Sequence, residues 1–310
     1  MLTKIEKIFA RNKVATFILN RSRNWYLPGF EGVSMFEVIK AFYTHVKLQG
    51  LRERAAAISY NFIMALPPSF LFLFTLIPHL PFISIRSIKV QMHNLVYDII
   101  PAPQYNKEVI RFLDSFIDGS KIGLLSFSLL LSLFFASNAM MGLMRAFNRK
   151  YFGFTDRKRI NQRWIAIKLT FILFGLLLSY LLLLIMQGAL LRLIVSNDGW
   201  REVILYTRWF FIVLLIYFTI AFIFKYAPPV QKRWKILSPG TVLATFLSIL
   251  SSLGFAFFVN NFGRFNALYG SIGTIMVVMA LIFINSLAIL IGFELNVSIK
   301  AASARKQMQP

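Results

Sequence analysis

The sequence predicts an all-α, polytopic membrane protein: a bundle of six transmembrane helices, with amphipathic helices at the N-terminus and in an outer loop. Three observations lead there. Hydrophobic residues fill 57% of the 310 positions and charged residues 15%, where ordinary globular chains have about 45–50% and about 25%. Long uncharged stretches alternate with short basic ones. Lys and Arg are also sorted by side. When the seven pieces between the six stretches are assigned alternately to two sides, the side holding the N-terminus has 25 of the 34 Lys and Arg, and the other has 9. The 12 acidic residues divide evenly. Loops rich in Lys and Arg stay in the cytoplasm, so both termini are placed there.

Residues 1–50 read as a cytoplasmic or interfacial region with two basic amphipathic stretches, 1–20 and 35–48. Such helices lie in the membrane interface or pack on the end of the bundle, and periodicity allows both. Residues 51–300 form the transmembrane domain, with spans at about 55–80, 122–144, 169–191, 204–224, 236–262 and 267–293. The first follows Arg54 and has no Asp, Glu, Lys or Arg for 31 residues, against about 20 needed to cross the hydrocarbon. Pro67 and Pro68 lie in its middle and are expected to kink or break it near Leu66, since proline removes a helix donor and clashes with the preceding turn. Residues 85–121 carry two apolar stripes separated by Pro101 and Pro103, read as two short helices over the outer face. The fourth span has Trp200, Tyr206 and Trp209 as interface anchors. Residues 301–310 are a short cytoplasmic tail.

A net charge of +22 in a soluble protein would point to nucleic acid. Here the charge lies in short loops beside apolar spans, where it sets topology and meets anionic headgroups. The partners expected are therefore membrane lipids, with no nucleic acid. The chain has no cysteine, which removes disulfides, thiolate catalysis and Cys-based metal sites. His45, His79 and His93 are scattered without metal-site spacing, and no nucleotide fingerprint is present. Neither a cofactor, a metal nor an enzyme activity is expected.

Ionisable residues inside a bilayer are functional candidates, and the six apolar cores contain none. The nearest is Glu294, at the inner end of the sixth span, followed by Asn296. Arg145 and Asn148 close the second span at the same depth and face, so Glu294 and Arg145 could meet. Such a pair would be a cytoplasmic gate or headgroup site, or an ion pair that locks two helices. Uncharged polar residues supply substrate-path candidates: Ser59, Tyr60 and Asn61 ahead of Pro67 and Pro68, Asn138 in the second span, and Asn266 and Tyr269 in the outer hairpin. A broken helix exposes backbone groups that bind polar substrates where they line a cavity; the plainer use of such side chains is interhelical hydrogen bonding. Gly240, Ala244, Ser248, Ser252 and Ala256 recur every four residues, a small-residue stripe that permits close helix approach. Gly270, Gly273 and Gly292 supply small residues on the last span. The partner is another span or, in a homo-oligomer, a second protomer.

Several stretches together resemble the YihY/BrkB family of bacterial inner-membrane proteins. They are Arg54 to Tyr60, Arg145 to Asn148 with Tyr151, Pro239 and Gly240, Phe262 to Asn266 with Tyr269, Gly270 and Gly273, and Gly292 to Asn296. The resemblance runs from about Lys40 to Ala302. The run Ala65, Leu66, Pro67, Pro68 departs from it, since the family more often shows a Ser and a single Pro. The resemblance implies a six-helix protein of the inner membrane with transport or envelope-lipid roles. The family once carried the label ribonuclease BN, for which this sequence offers no clustered His and Asp. The function expected is a transporter or exporter of an amphiphilic, lipid-like or polar substrate. The alternative is a non-catalytic scaffold in envelope biogenesis, and a ribonuclease comes last.

Overall fold

A computed structural model describes residues 23–48, 50–76, 122–148, 151, 153–155, 157–185, 198–231, 233–262 and 271–308, with isolated positions between 86 and 115. Seven helices are described: α1 (Met35–Leu48), α2 (Leu51–Leu76), α3 (Ile122–Phe147), α4 (Arg159–Ile185), α5 (Asp198–Tyr226), α6 (Pro239–Phe262) and α7 (Ser271–Met308). No strand occurs among the described residues. One antiparallel bridge, Phe154 with Val230, joins the α3–α4 and α5–α6 connections.

Five of these helices are long and apolar enough to cross a membrane: α2, α3, α4, α6 and α7. The fourth expected span is represented by α5, whose described apolar part is Phe210–Tyr226. Asp198, Arg201, Glu202 and Arg208 interrupt its first turns. The side chains of Trp200, Tyr206 and Trp209 lie outside the described residues. So do residues 1–22, Asn266, Tyr269 and Gly270, and most of the outer loop. At isolated loop positions the chain is helical, and His93 Nε2 lies 3.0 Å from Asp114 Oδ1. The two outer stretches thus meet.

Two expectations about helix ends and breaks are corrected. α2 stays helical through Pro67 and Pro68. A bilayer helix tolerates proline when neighbouring helices and Ser or Thr side chains serve the disturbed backbone. Here Ser69 Oγ donates to the Ala65 carbonyl at 2.7 Å, Pro68 is buried, and α2 packs along α3. The last helix does not stop near residue 293 but continues as far as Met308. Its 38 residues span about 57 Å at 1.5 Å each, roughly twice the hydrocarbon thickness. The extra turns receive α1: Val33, Val38 and Ala41 are buried against Ile299 and Ala302. Of the two readings for residues 35–48, packing on the bundle is the one observed.

The neighbours are α2 with α3 and α7, α6 with α7 and α5, and α4 with α3 and α5. The main core gathers at the end of the bundle where α2 begins and α3 ends. Ile58, Leu143, Phe147, Phe224, Leu290 and Phe293 are all fully buried there. We call this the basic end. Along the spans, large apolar side chains such as Phe127, Leu130 and Phe246 face outward, far more than a soluble surface carries. The fold is that of a membrane protein.

Candidate functional site

Among the described residues, the buried charges meet at the basic end. Arg54, in the first turn of α2, is 4% exposed, and Glu294, on α7, is 0% exposed. Arg54 Nη1 donates to Glu294 Oε1 at 2.5 Å, and Arg54 Nε donates to the Ala146 carbonyl on α3 at 3.0 Å. One guanidinium therefore ties three helices. Tyr151, in the connection after α3, donates its hydroxyl to the same Oε1 at 2.7 Å. Burial raises the Tyr151 phenol well above its ordinary value, and the Glu294 charge adds to this while Arg54 opposes it. The phenol therefore remains a donor across the physiological range.

Arg145 does not take this place. It is exposed, as is Asn148. A helix turns about 100° per residue, so Ala146 and Phe147 turn inward while Arg145 faces out. The first-span residue that reaches Glu294 is Arg54, which marks the family resemblance but is absent from the substrate-path and gate candidates. A signal was available. Arg54 is the last charge before the 31-residue uncharged stretch, and Glu294 borders the last span on the same side.

Phe293, next to Glu294, is enclosed by rings. It stacks on Phe147 at 4.2 Å between centroids, with Trp234 at 5.5 Å and Phe154 at 6.3 Å. These rings exclude water and keep the local dielectric low, which strengthens the ion pair and raises the cost of any unpaired atom. Two such atoms belong to the pair itself. Arg54 Nη2 and Glu294 Oε2 are buried without a hydrogen-bond partner among the described residues. A buried donor and a buried acceptor left over in one ion pair fit a small polar guest or a second arrangement of the pair.

His45, on α1, adjoins the cluster. Its Nδ1 lies 3.3 Å from Ser298 Oγ, which donates to the Glu294 carbonyl at 2.7 Å, and its ring is 5.8 Å from Tyr151. Burial lowers the pKa of His45 below its ordinary 6.5, with Glu294 opposing and Arg305 assisting. The folded protein thus holds His45 neutral where the unfolded chain would protonate it. This contribution to stability is complete above about pH 6.5 and declines as pH falls below it. The thermal midpoint of the purified protein should therefore drop between pH 7.5 and pH 5, and His45→Gln should flatten that drop.

Asn296, one turn from Phe293, fixes the crossing of α6 and α7. Its Oδ1 accepts from the Gly240 amide at 2.9 Å, and its Nδ2 donates to Ser238 Oγ at 2.9 Å. At the crossing, a Cβ on Gly240 would run into the Gly292 carbonyl, and one on Gly292 into the Gly240 carbonyl. The small-residue stripe thus has a partner within the chain, α7. Ala244 and Ser248 are buried in it, and Ser252 Oγ accepts from Asn285 Nδ2 at 3.1 Å. Ala256 is exposed and leaves the seam, because helices crossing at an angle diverge. Gly273 is buried.

The remaining described candidates point to different neighbours. Ser59 is buried and donates to the Ala55 carbonyl at 2.7 Å and to Ser286 Oγ at 3.2 Å. Tyr60 is 61% exposed. Asn61 donates to the Ala57 carbonyl at 2.7 Å and packs where Gly142 leaves room. Three consecutive helical residues point to three faces. Pro67 is exposed and Pro68 buried. Asn138 accepts from Arg163 Nη1 of α4 at 2.5 Å. No group of three or more His, Asp or Glu suited to a metal occurs among the described residues.

The family model described as Virulence factor BrkB matches residues 42–310. A ribonuclease-like protein, YfkH, of Bacillus subtilis (strain 168) is 28% identical over 262 residues, which is 83% of this chain and 93% of its own length. A UPF0761 membrane protein, PSHAa0171, of Pseudoalteromonas translucida (strain TAC 125) is 30% identical over 82 residues, 26% of this chain and 27% of its own. Another UPF0761 membrane protein, from Tolumonas auensis (strain DSM 9187 / NBRC 110442 / TA 4), is 26% identical over 80 residues, 26% of each chain. No solved structure matches.

Proposed function

The chain belongs to the Virulence factor BrkB family, and from that premise we propose that it is a transporter or exporter of an amphiphilic, lipid-like or polar substrate. It works in the bacterial inner membrane as a six-span protein with both termini in the cytoplasm, and it is not an enzyme. The observation that carries this reading is the buried Arg54–Glu294 pair between the first and last spanning helices, with one unpartnered atom on each side. A buried ion pair is a poor source of stability, and replacing it by apolar residues is often neutral or better. Its placement at the seam of α2, α3 and α7 suits a gate that exchanges partners when helices move. The charge asymmetry supports the orientation: the side to which the sequence assigns the N-terminus and 25 of the 34 Lys and Arg faces the cytoplasm.

The test is purified protein in liposomes with a panel of labelled lipids and polar solutes. Flux of at least one class above empty vesicles is expected. Flux equal to empty vesicles across the panel contradicts the proposal. The scaffold reading draws on α1, which docks a basic N-terminal segment onto α7. Deleting residues 1–22 separates the two: a transporter keeps its flux, whereas a scaffold loses its partner with no flux to lose. YfkH is described as ribonuclease-like. For this chain, cleavage of a tRNA precursor by wild-type protein with a divalent metal, absent in Glu294→Gln, would overturn the non-enzymatic reading.

A further inference from the structure

Two adjoining cavities, of about 210 and 440 Å³, open at the basic end on the side of α6 and α7. Trp234, Glu31, Lys300 and Gln307 line both. The larger adds Arg233, Lys235, Leu237 and Ser238. The charges there are unbalanced. Glu31, the acidic lining residue, is neutralised by Lys300 at 2.7 Å. Arg233 and Lys235 are exposed and have no carboxylate partner among the described residues. Nearby Arg157 is occupied with the carbonyls of Tyr226, Ala227 and Pro228, and its pKa is lowered by burial and then by Arg233.

The cavity wall also holds a polar group without a partner among the described residues. Trp234 is 6% exposed, and its indole N–H is buried without an acceptor among the described residues. Packing on Phe224 and Phe293 holds the ring in place. A buried indole normally finds an acceptor. The helix end itself is already used, because the Gly240 amide is bonded to Asn296 and the Thr241 amide to Ser238. An anion here is held by side chains.

Apolar surface starts at the mouth of the larger cavity. Leu237 is 78% exposed, and from it Val242, Phe246, Leu250 and Leu253, each 51–65% exposed, follow one face of α6. That face lies away from the Gly240–Ser252 seam, and among the described residues no helix packs over it.

We propose that the paired cavities around Trp234 bind the phosphate-bearing headgroup of an anionic lipid, with its acyl chains along the exposed apolar face of α6. Arg233 and Lys235, with no carboxylate partner among the described residues, match phosphate oxygens, and the α6 stripe matches hydrocarbon. The site stands whether or not the protein moves lipid. The full chain in detergent is titrated with phosphatidylglycerol and with phosphatidylcholine of identical acyl chains, and binding is read by native mass spectrometry. Wild type is expected to prefer phosphatidylglycerol by roughly thirtyfold, the scale for two cations near an anionic headgroup. Arg233→Gln with Lys235→Gln, both at exposed positions, should abolish the preference. Leu237→Glu, at the mouth, should weaken phosphatidylglycerol selectively. Equal affinity for the two lipids in wild type, or an unchanged preference in the double variant, overturns the proposal. In a parallel arm, inorganic phosphate should fail to displace the lipid at millimolar concentration. Displacement by phosphate, with Leu237→Glu indistinguishable from wild type, would show a free-phosphate site and overturn the assignment to lipid.

Discussion

Arg54→Ala is expected to destabilise the protein by about 3–5 kcal/mol, the usual result of removing one partner of a buried ion pair. The substitution leaves Glu294, 0% exposed, with the Tyr151 hydroxyl as its remaining side-chain donor. It also strips the Ala146 carbonyl of its guanidinium donor. Tyr151 cannot replace a cation, because a protonated phenol carries no charge. Arg54→Met combined with Glu294→Leu should cost much less than either single change, since no charge is then left behind. Thermal or denaturant unfolding in detergent measures all three. Additive losses in the double variant would mean that the two side chains do not act as a pair.

The second large effect is expected at the crossing of α6 and α7. Gly292→Ala places a methyl against the Gly240 carbonyl and the Ala244 side chain. Backbone cannot yield as a side-chain tip can, so the helices must separate. Overpacking of this kind costs about 1–3 kcal/mol, and separation also strains the Asn296 bonds to Gly240 and Ser238. Gly175→Ala and Gly254→Ala are the controls. Both lie in helices, and an added Cβ meets nothing within 4 Å. They should be neutral or stabilising by up to about 1 kcal/mol. Comparable losses at all three glycines would contradict the role given to close approach at the crossing of α6 and α7.

Much of the architecture was legible in the sequence because lipid imposes long uncharged stretches and sorts Lys and Arg by side. The stripe from Gly240 to Ser252 was legible for a similar reason: a period of four residues lays small side chains on one face, and α7 fills that face. Pro67 and Pro68 lie inside α2 without breaking it. The local rule against helical proline was outweighed by packing on α3 and by Ser69. Arg145 misled because proximity to Glu294 was judged by depth alone. Which way a side chain faces depends on helix phase, and the phase of α3 turns Ala146 and Phe147 inward. Trp234, Phe154 and Tyr151 lie in connections, where no period marks them. Their convergence on Phe293 comes from the Phe154–Val230 bridge, a pairing of distant loops that a single sequence does not signal.

The central claim is that the seam between α2 and α7, closed by Arg54 and Glu294, must move for substrate to pass. The absence of native cysteine permits a direct test. Ser59 and Ser286, whose hydroxyls are 3.2 Å apart across that seam, are both replaced by cysteine, and flux is measured in the same liposomes before oxidation, after it, and after reduction. The account predicts that oxidation abolishes flux and reduction restores it. Undiminished flux through the oxidised, cross-linked protein would contradict it.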